Sequence, residues 1–385
     1  MPATDNAILG KSRAWIELNM DNLRHNVKVL KAVLPPDCEL MPAVKANAYG
    51  HGAVLIAKEL CACGVKAFCV ASADEGAELR RHEVQGLILV LGYTPPEQLC
   101  LLKRFDLTQT VVDYEYARLI NSYALPIRVH IGIDTGMHRL GERSENVERI
   151  RAIFDMENLQ IDGMFTHLCA DDSDSTEARL YTLGQAERFE TLIGQLHTYG
   201  INCPKVHLLN SYGLLNYPEL GGNYARLGIA LYGLLSTGED TARCKLDLKP
   251  VLSIKARVSL VRELHKDEYA GYGLAFSAEK ETKIAVLTIG YADGLPRCLS
   301  CGRGRVLLDG CEAPIIGRIC MDQTLVEVSG ISNVKAGDAA VIIGSSGERK
   351  ISACDIAEQA DTITNEVLSR LGSRLIRIPI NSHCD

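Results

Sequence analysis

From residue 12 to 245, short apolar runs alternate with segments whose apolar positions recur at helical spacing. The runs lie near Glu39 to Val44, Ala67 to Ala71, Leu87 to Leu91, Thr108 to Val112, Ile127 to Ile133, Ile161 to Thr166, Lys205 to Leu209 and Tyr224 to Leu227. Between them HGAVLIAKELCAC, ADEGAELRRHE and LYTLGQAERFETLIGQLHTYG carry the 3.6-residue period of amphipathic helices. The alternation predicts eight strands with eight helical connections. Repeats of this kind close into a (β/α)8 TIM-type barrel, whose chemistry sits at the carboxyl ends of the strands. A doubly wound open sheet is the alternative; it ranks lower because no GxGxxG follows a first strand. After about residue 246 the texture changes to β-branched runs separated by turn signals: VLSIKARVSLV, KIAVLTIGY, RVLLDGCEAPIIG, TLVEVSG, AAVIIGSSG and RLIRIPI. These predict a C-terminal mainly-β domain with one helix around Ser352 to Arg370. The opening segment, before Ala14, is expected to pair with it. The predicted division is therefore a barrel over 12–245, and a β domain from 1–11 together with 246–385.

Composition narrows the function classes. With 385 residues and 47% hydrophobic content, the chain can bury a large core. A net charge of -7 and no long basic run argue against a nucleic-acid surface and favour small soluble partners. No apolar segment reaches the roughly 18 residues of a membrane span, and MPATDNAILGKSRAW lacks a secretory core. The expected location is cytoplasmic, and attachment to a membrane domain outside this sequence is compatible with it. Fourteen cysteines without regular spacing read as reduced thiols rather than a disulfide framework. Cys298 and Cys301 form a CxxC, with Cys311 and Cys320 downstream. Irregular spacing and the lack of a second CxxC argue against a metal site, and none is expected. GRGR at 302–305 reads as a turn rather than a phosphate loop.

Candidate chemistry gathers at one rim of the predicted barrel. In MPAVKANAYGHG, Lys45 follows an apolar run and precedes turn-forming glycines. Burial there would hold its pKa below about 10.4 and leave more free amine to form an imine with an aldehyde such as pyridoxal phosphate. Arg139 follows the fifth strand and His167 ends the sixth. Asn210 and Ser211 end the seventh, while Arg226 lies at the eighth, followed by Gly228 and Ile229. The last two strands are where barrels commonly hold phosphate, and Ser211, Gly228 and Ile229 suit that task. Each residue has a plainer reading: a solvated lysine, rim salt bridges, a structural histidine, a helix cap. Convergence on one rim favours the chemical one.

Several separated motifs also match a known family together. VKANAYGHG, DTGMHRLG, THLCADD, NSYG, RLGIALYG, GYG, IGYADG and GRICMDQ occur in the order and approximate spacing of the alanine racemase family, over residues from about 12 to the end. The resemblance implies a fold-type III pyridoxal phosphate enzyme: a barrel, a C-terminal β domain, and a homodimer with shared active sites. It makes Lys45 the Schiff-base lysine and one acid/base group, and Tyr272 the other, reaching in from a second subunit. On opposite faces of Cα, one removes a proton while the other supplies one, so the centre inverts. His167 would contact the tyrosine and Arg226, and Arg226 would donate to the pyridine nitrogen. An arginine does not release its proton, so the ring is a weaker electron sink than it would be beside a carboxylate. Arg139 would contact the cofactor's phenolic oxygen and the substrate carboxylate, the latter also held by the backbone of Met321 from the second subunit. Tyr49, Ser211, Gly228 and Ile229 would hold the phosphate. Tyr291 would line the substrate entrance, with Asp322 and Asp171 behind these groups.

Two positions depart from the commonest pattern. Many members carry a carbamate-modified lysine seven residues before the arginine of DTGMHRLG, where this chain has Gly132. Near the C-terminus, where a tyrosine usually borders the cofactor phosphate and the substrate side chain, alignment of SRLGSRLIRIPI places Ser373. A serine leaves a larger, more polar pocket, so L-serine is expected as a substrate beside L-alanine. Serine racemase domains of some vancomycin-resistance systems, which are attached to a membrane domain, offer the parallel. The implied role is supply of D-amino acids for peptidoglycan precursors. The rival readings are a decarboxylase of the same fold, which would not need Tyr272 or Arg226, and a small pyridoxal phosphate carrier, which would stop after the barrel.

Overall fold

The structure, a computed structural model, describes residues 12–381. The expected role of residues 1–11 lies outside the described residues. All eight apolar runs form strands: β2 (Glu39–Leu40), β3 (Ala67–Val70), β4 (Leu87–Val90), β5 (Thr108–Val111), β6 (Ile127–Asp134), β8 (Leu159–Phe165), β9 (Val206–His207) and β10 (Tyr224–Ala225). A short β7 (Glu142–Arg143) pairs with the end of β6. Strands β3, β4, β5, β6, β8 and β9 pair in parallel in that order, and β10 pairs in parallel with β2.

Backbone bonds beyond the strand ends close the ring. Val44 N–H donates to Cys69 O at 2.9 Å, joining β2 to β3, and Asn223 N–H donates to Val206 O at 2.7 Å, joining β10 to β9. Burial on both faces explains why most of these strands read as near-continuous apolar runs rather than alternating ones, with Thr108, Gln109 and Thr110 of β5 and His130 of β6 as buried polar exceptions. Between strands the expected helices form, among them Ala53–Ala62, Ala73–Arg81 and Thr176–Thr198. Ser72 and Ser175 accept from the backbone N–H three residues on and so start the second and third of these.

The C-terminal part is a nine-stranded sheet. Its strands are β1 (Ala14–Asn19), β11 (Leu252–Leu264), β14 (Thr282–Leu287), β15 (Arg305–Leu308), β16 (Cys311–Ile316), β17 (Thr324–Glu327), β18 (Ala339–Ser346), β19 (Arg349–Ile351) and β20 (Ile376–Ile380), in the order β19-β18-β15-β16-β17-β14-β11-β1-β20. The strand that joins this sheet from the chain's beginning is Ala14–Asn19, just after the segment the sequence suggested. Its register against β11 puts Ala14, Ile16 and Leu18 in the core. A small hairpin, β12 (Tyr269–Ala270) and β13 (Phe276–Ser277), projects from the sheet.

One expectation is corrected. In place of one helix around Ser352 to Arg370 there are two, Ala353–Gln359 and Thr364–Ser369. Asp361 between them takes a left-handed φ of 55°, which ends the first helix and turns the chain. Apolar spacing does not register such a break.

Candidate active site

Lys45 opens the segment after β2, and the backbone there is unusual. Ala46, Asn47, Ala48 and Tyr49 all have φ between 51° and 54°, a left-handed turn built from residues that rarely adopt it. Side chains from around the rim hold it. The Glu75 carboxylate accepts from Ala46 N–H (2.8 Å) and Ala71 N–H (2.7 Å), and Asn47 Oδ1 accepts from Ala53 N–H (2.8 Å). His51 stacks on Tyr232 at 4.3 Å, and the Tyr232 hydroxyl donates to Ala43 O at 3.0 Å. The turn sets the Lys45 amine over the barrel mouth with Tyr49 one turn further on.

A cavity of about 470 Å³ lies at that mouth. Lys45, Tyr49, Gly132, Arg139, His167, Asp171, Asn210, Ser211, Arg226, Gly228 and Ile229 all line it. The strand ends thus bring together every barrel residue singled out by sequence. Burial is the main cause that pushes the Lys45 amine below its ordinary pKa, and the positive charge of Arg139 adds to it. Arg226 is buried and held by hydrogen bonds rather than by a carboxylate. It donates to Thr166 O (2.6 Å), His207 Nδ1 (2.6 Å) and, more weakly, His167 Nδ1 (3.4 Å). Burial lowers its pKa to about 10, so it stays protonated at neutral pH.

Those donations fix the histidines. With Nδ1 accepting from Arg226, neutral His207 carries its proton on Nε2 and donates it to His130 Nδ1 at 2.8 Å. His167, likewise accepting at Nδ1, keeps its proton on Nε2. Burial, with Arg226 next, pushes His167 down to about 3, so it is a neutral donor throughout the physiological range.

At the other end of the cavity hydroxyls and amides converge. The Ser211 hydroxyl accepts from Gly228 N–H (3.0 Å) and Ala230 N–H (3.4 Å). A Cβ at Gly228 would stand 2.4 Å from the Tyr49 hydroxyl, so glycine is what lets that phenol approach the amides. Burial pushes the Tyr49 phenol up to about 12, keeping it a donor. Two hydroxyls beside the backbone N–H groups of Gly228 and Ala230 suit a phosphate, a buried amine suits an aldehyde, and a buried guanidinium suits a ring nitrogen. The donor set fits pyridoxal phosphate. Asn210 caps the helix Ser211–Asn216 through its side chain, which accepts from Gly213 N–H at 2.8 Å, and so aims the start of that helix.

Other sequence candidates lie elsewhere. Tyr272 sits in the turn between β12 and β13 and is 70% exposed; Tyr291 and Met321 are 41% and 52% exposed. None of them lines the cavity of its own chain. Asp322 pairs with Arg374 at 2.6 Å, close behind Met321.

Ser373 does not line this cavity, contrary to its expected place at the cofactor phosphate. Gly372 N–H bonds Asp293 O at 3.0 Å and Arg374 pairs with Asp293, so the stretch around Ser373 packs on the turn Tyr291–Asp293 that follows β14, and Ser373 is exposed. Eight residues earlier, Asn365 lines the cavity instead, and its Oδ1 is buried without a partner. No sequence signal distinguished it, because nothing in the helix pattern shows which residue faces the barrel mouth.

Comparison with known proteins covers most of the chain. The family model described as "Alanine racemase, N-terminal domain" matches residues 18–236, and "Alanine racemase, C-terminal domain" matches 251–379. The chain is 40% identical to an alanine racemase of Carboxydothermus hydrogenoformans, over 94% of this chain and 98% of that one. It is 44% identical to an amino-acid racemase of Enterococcus faecalis over 94% of its own length, but spans about half of that relative (51%). Its fold superposes on the alanine racemase of Clostridium difficile 630 with a TM-score of 0.90 at 34% identity, covering 97% of each chain.

Proposed function

This chain belongs to the alanine racemase family, and on that premise we propose that it interconverts the L and D forms of alanine and of serine, with Lys45 and a second copy's Tyr272 as the two acid/base groups. The observation that carries the reading is one cavity holding a buried amine of lowered pKa, a carboxylate-free guanidinium and a hydroxyl-and-amide cradle. The family is pyridoxal phosphate-dependent; that cofactor supplies an electron-withdrawing ring that acidifies the Cα hydrogen of an attached amino acid. Tyr49, Ser211, Gly228 and Ile229 would hold its phosphate, Arg226 its ring nitrogen and Lys45 its aldehyde carbon.

The chain's own groups then handle the proton and the carboxylate. Lys45, whose amine burial and the charge of Arg139 hold below its ordinary pKa, takes or returns the Cα proton on one face. Tyr272 of the second copy does the same on the other face. A free phenol with a pKa of about 10 is a poor base at neutral pH. The Nε2–H of neutral His167 offers it a hydrogen bond that favours the phenolate. Arg226 keeps its own proton, so a ring nitrogen it held would draw less charge than beside a carboxylate, which would favour return of the proton to Cα over transamination. Arg139 receives the substrate carboxylate, and Met321 of the second copy adds its backbone.

A homodimer is part of the proposal. Tyr269, Tyr272, Leu274, Tyr291 and Met321 are large, exposed side chains on the β domain, and an apolar surface of this kind is what a second copy would cover. The products suit peptidoglycan precursors, which is the role we propose.

Serine enters through Asn365, whose unpartnered amide oxygen in the cavity wall can accept a substrate hydroxyl. The test measures kcat/KM for L-alanine and L-serine in the wild type and Asn365→Leu, with solvent deuterium at Cα and CO2 followed together. We expect deuterium incorporation without CO2. Serine should fall about tenfold in the variant while alanine stays within about threefold. Release of CO2 would favour the decarboxylase, and equal losses on both substrates would remove the serine assignment.

A further inference from the structure

We propose that Asp134 and His138 form a latch that sets the backbone beneath Arg139, doing the orienting work for which Gly132 has no side chain. The proposal rests on the reading of Arg139 as the receiver of the substrate carboxylate. Among the described residues Arg139 makes no side-chain hydrogen bond or ion pair of its own. Its position is therefore set by the loop that carries it, residues 134–141.

That loop is tied at several points. Asp134 Oδ1 accepts from the backbone N–H of Gly136 (3.0 Å) and His138 (2.9 Å), and Oδ2 pairs with His138 Nδ1 at 2.8 Å. Three donors thus converge on one mostly buried carboxylate. Burial alone would push its pKa up, but the donors from His138 and Gly136 outweigh that and hold it low, so it stays ionised. The Tyr181 hydroxyl donates to Gly136 O at 2.6 Å and Arg188 Nε donates to Thr135 O at 2.8 Å. Gly141 N–H bonds Val112 O at 2.8 Å and closes the far end.

His138 stands out because its φ is 56°, in the left-handed region, where a histidine is strained unless something holds it. The ring's bond to Asp134 is what holds it, and the next residue is Arg139. Gly132 offers nothing in its place: a Cβ there would already stand 3.1 Å from Val111 O and 3.4 Å from Thr110 Cγ2. His138 and Asp134 are accordingly positioning residues for Arg139, acting through backbone rather than by touching substrate.

Two substitutions separate backbone tolerance from the side-chain bond. Glycine accepts a positive φ but has no side chain to bond, whereas asparagine accepts it and can still donate to Asp134. In the cofactor-loaded enzyme, His138→Gly should raise KM for L-alanine about fivefold with kcat within about twofold, and His138→Asn should stay near wild type. Hydrogen exchange of the 134–141 amides in cofactor-free protein should speed up in His138→Gly and not in His138→Asn. Wild-type KM and wild-type exchange in His138→Gly would overturn the latch. Arg139→Lys serves as the control. If it raises KM while His138→Gly does not, the latch alone fails. If it leaves KM unchanged, the role of Arg139 fails, and with it the purpose given to the latch.

Discussion

Asp171 lines the cavity, is 4% exposed, and leaves Oδ2 without a partner. Burial pushes its pKa up from 3.8 to about 6, with neighbouring Asp172 adding to the rise. The folded protein therefore binds this proton more tightly than the unfolded chain does. The stability it contributes is fully present below pH ~4 and is lost as pH rises through about 6. Asp171→Asn, which cannot ionise, should be more stable than wild type by about 3 kcal/mol at pH 8 and equal to it below pH ~3, as read from urea midpoints. A variant no more stable at pH 8 would contradict the charge-burial account. Lys45, Arg139, His167, Ser211 and Arg226 were legible in the sequence because each ends or follows a strand, and strand ends share a rim. Asn365 was not, since it lies on a short helix whose facing depends on how the β domain docks. Ser373, on an exposed turn, does not line its own chain's cavity: alignment gives order along the chain, not the side of a turn.

At the scale of elements, the strands were readable because parallel strands buried on both faces leave mostly apolar runs, broken here by buried Thr108, Gln109, Thr110 and His130. The left-handed turn Ala46–Tyr49 was hidden. Only its glycines hinted at positive φ, while alanine, asparagine and tyrosine carry it. It persists because Glu75, Asn47 and the stacked His51 and Tyr232 pin it from outside. Gly50 is the tightest point: it has φ 78°, and a Cβ there would fall 2.1 Å from Leu368 O in the helix Thr364–Ser369. Gly50→Ala should therefore cost about 3 kcal/mol of stability and, by shifting the turn, weaken cofactor retention on dialysis. An alanine variant with wild-type unfolding midpoint and retention would mean that the turn and the helix are not packed as described. The division of the Ser352 to Arg370 region into two helices belongs to the same class, a local turn that apolar spacing does not encode.

At the scale of the whole molecule, the barrel and the β sheet lie in one chain, but the proposed pair of acid/base groups does not. Lys45 lines the cavity, while Tyr272 stands 70% exposed on the hairpin of β12 and β13 and lines no part of its own chain's cavity. Two-copy architecture could not be read from composition or periodicity; it entered through the family resemblance and is supported by the exposed face of the β domain. It makes a quantitative prediction. Lys45→Ala and Tyr272→Phe should each abolish racemisation as homodimers. Refolded together, half of the dimers are mixed, and each mixed dimer pairs an intact Lys45 with an intact Tyr272 in one of its two sites. Recovery of about one quarter of wild-type alanine racemisation is the result expected of shared sites. Mixed protein as inactive as its two parents, with dimers confirmed by light scattering, would contradict them.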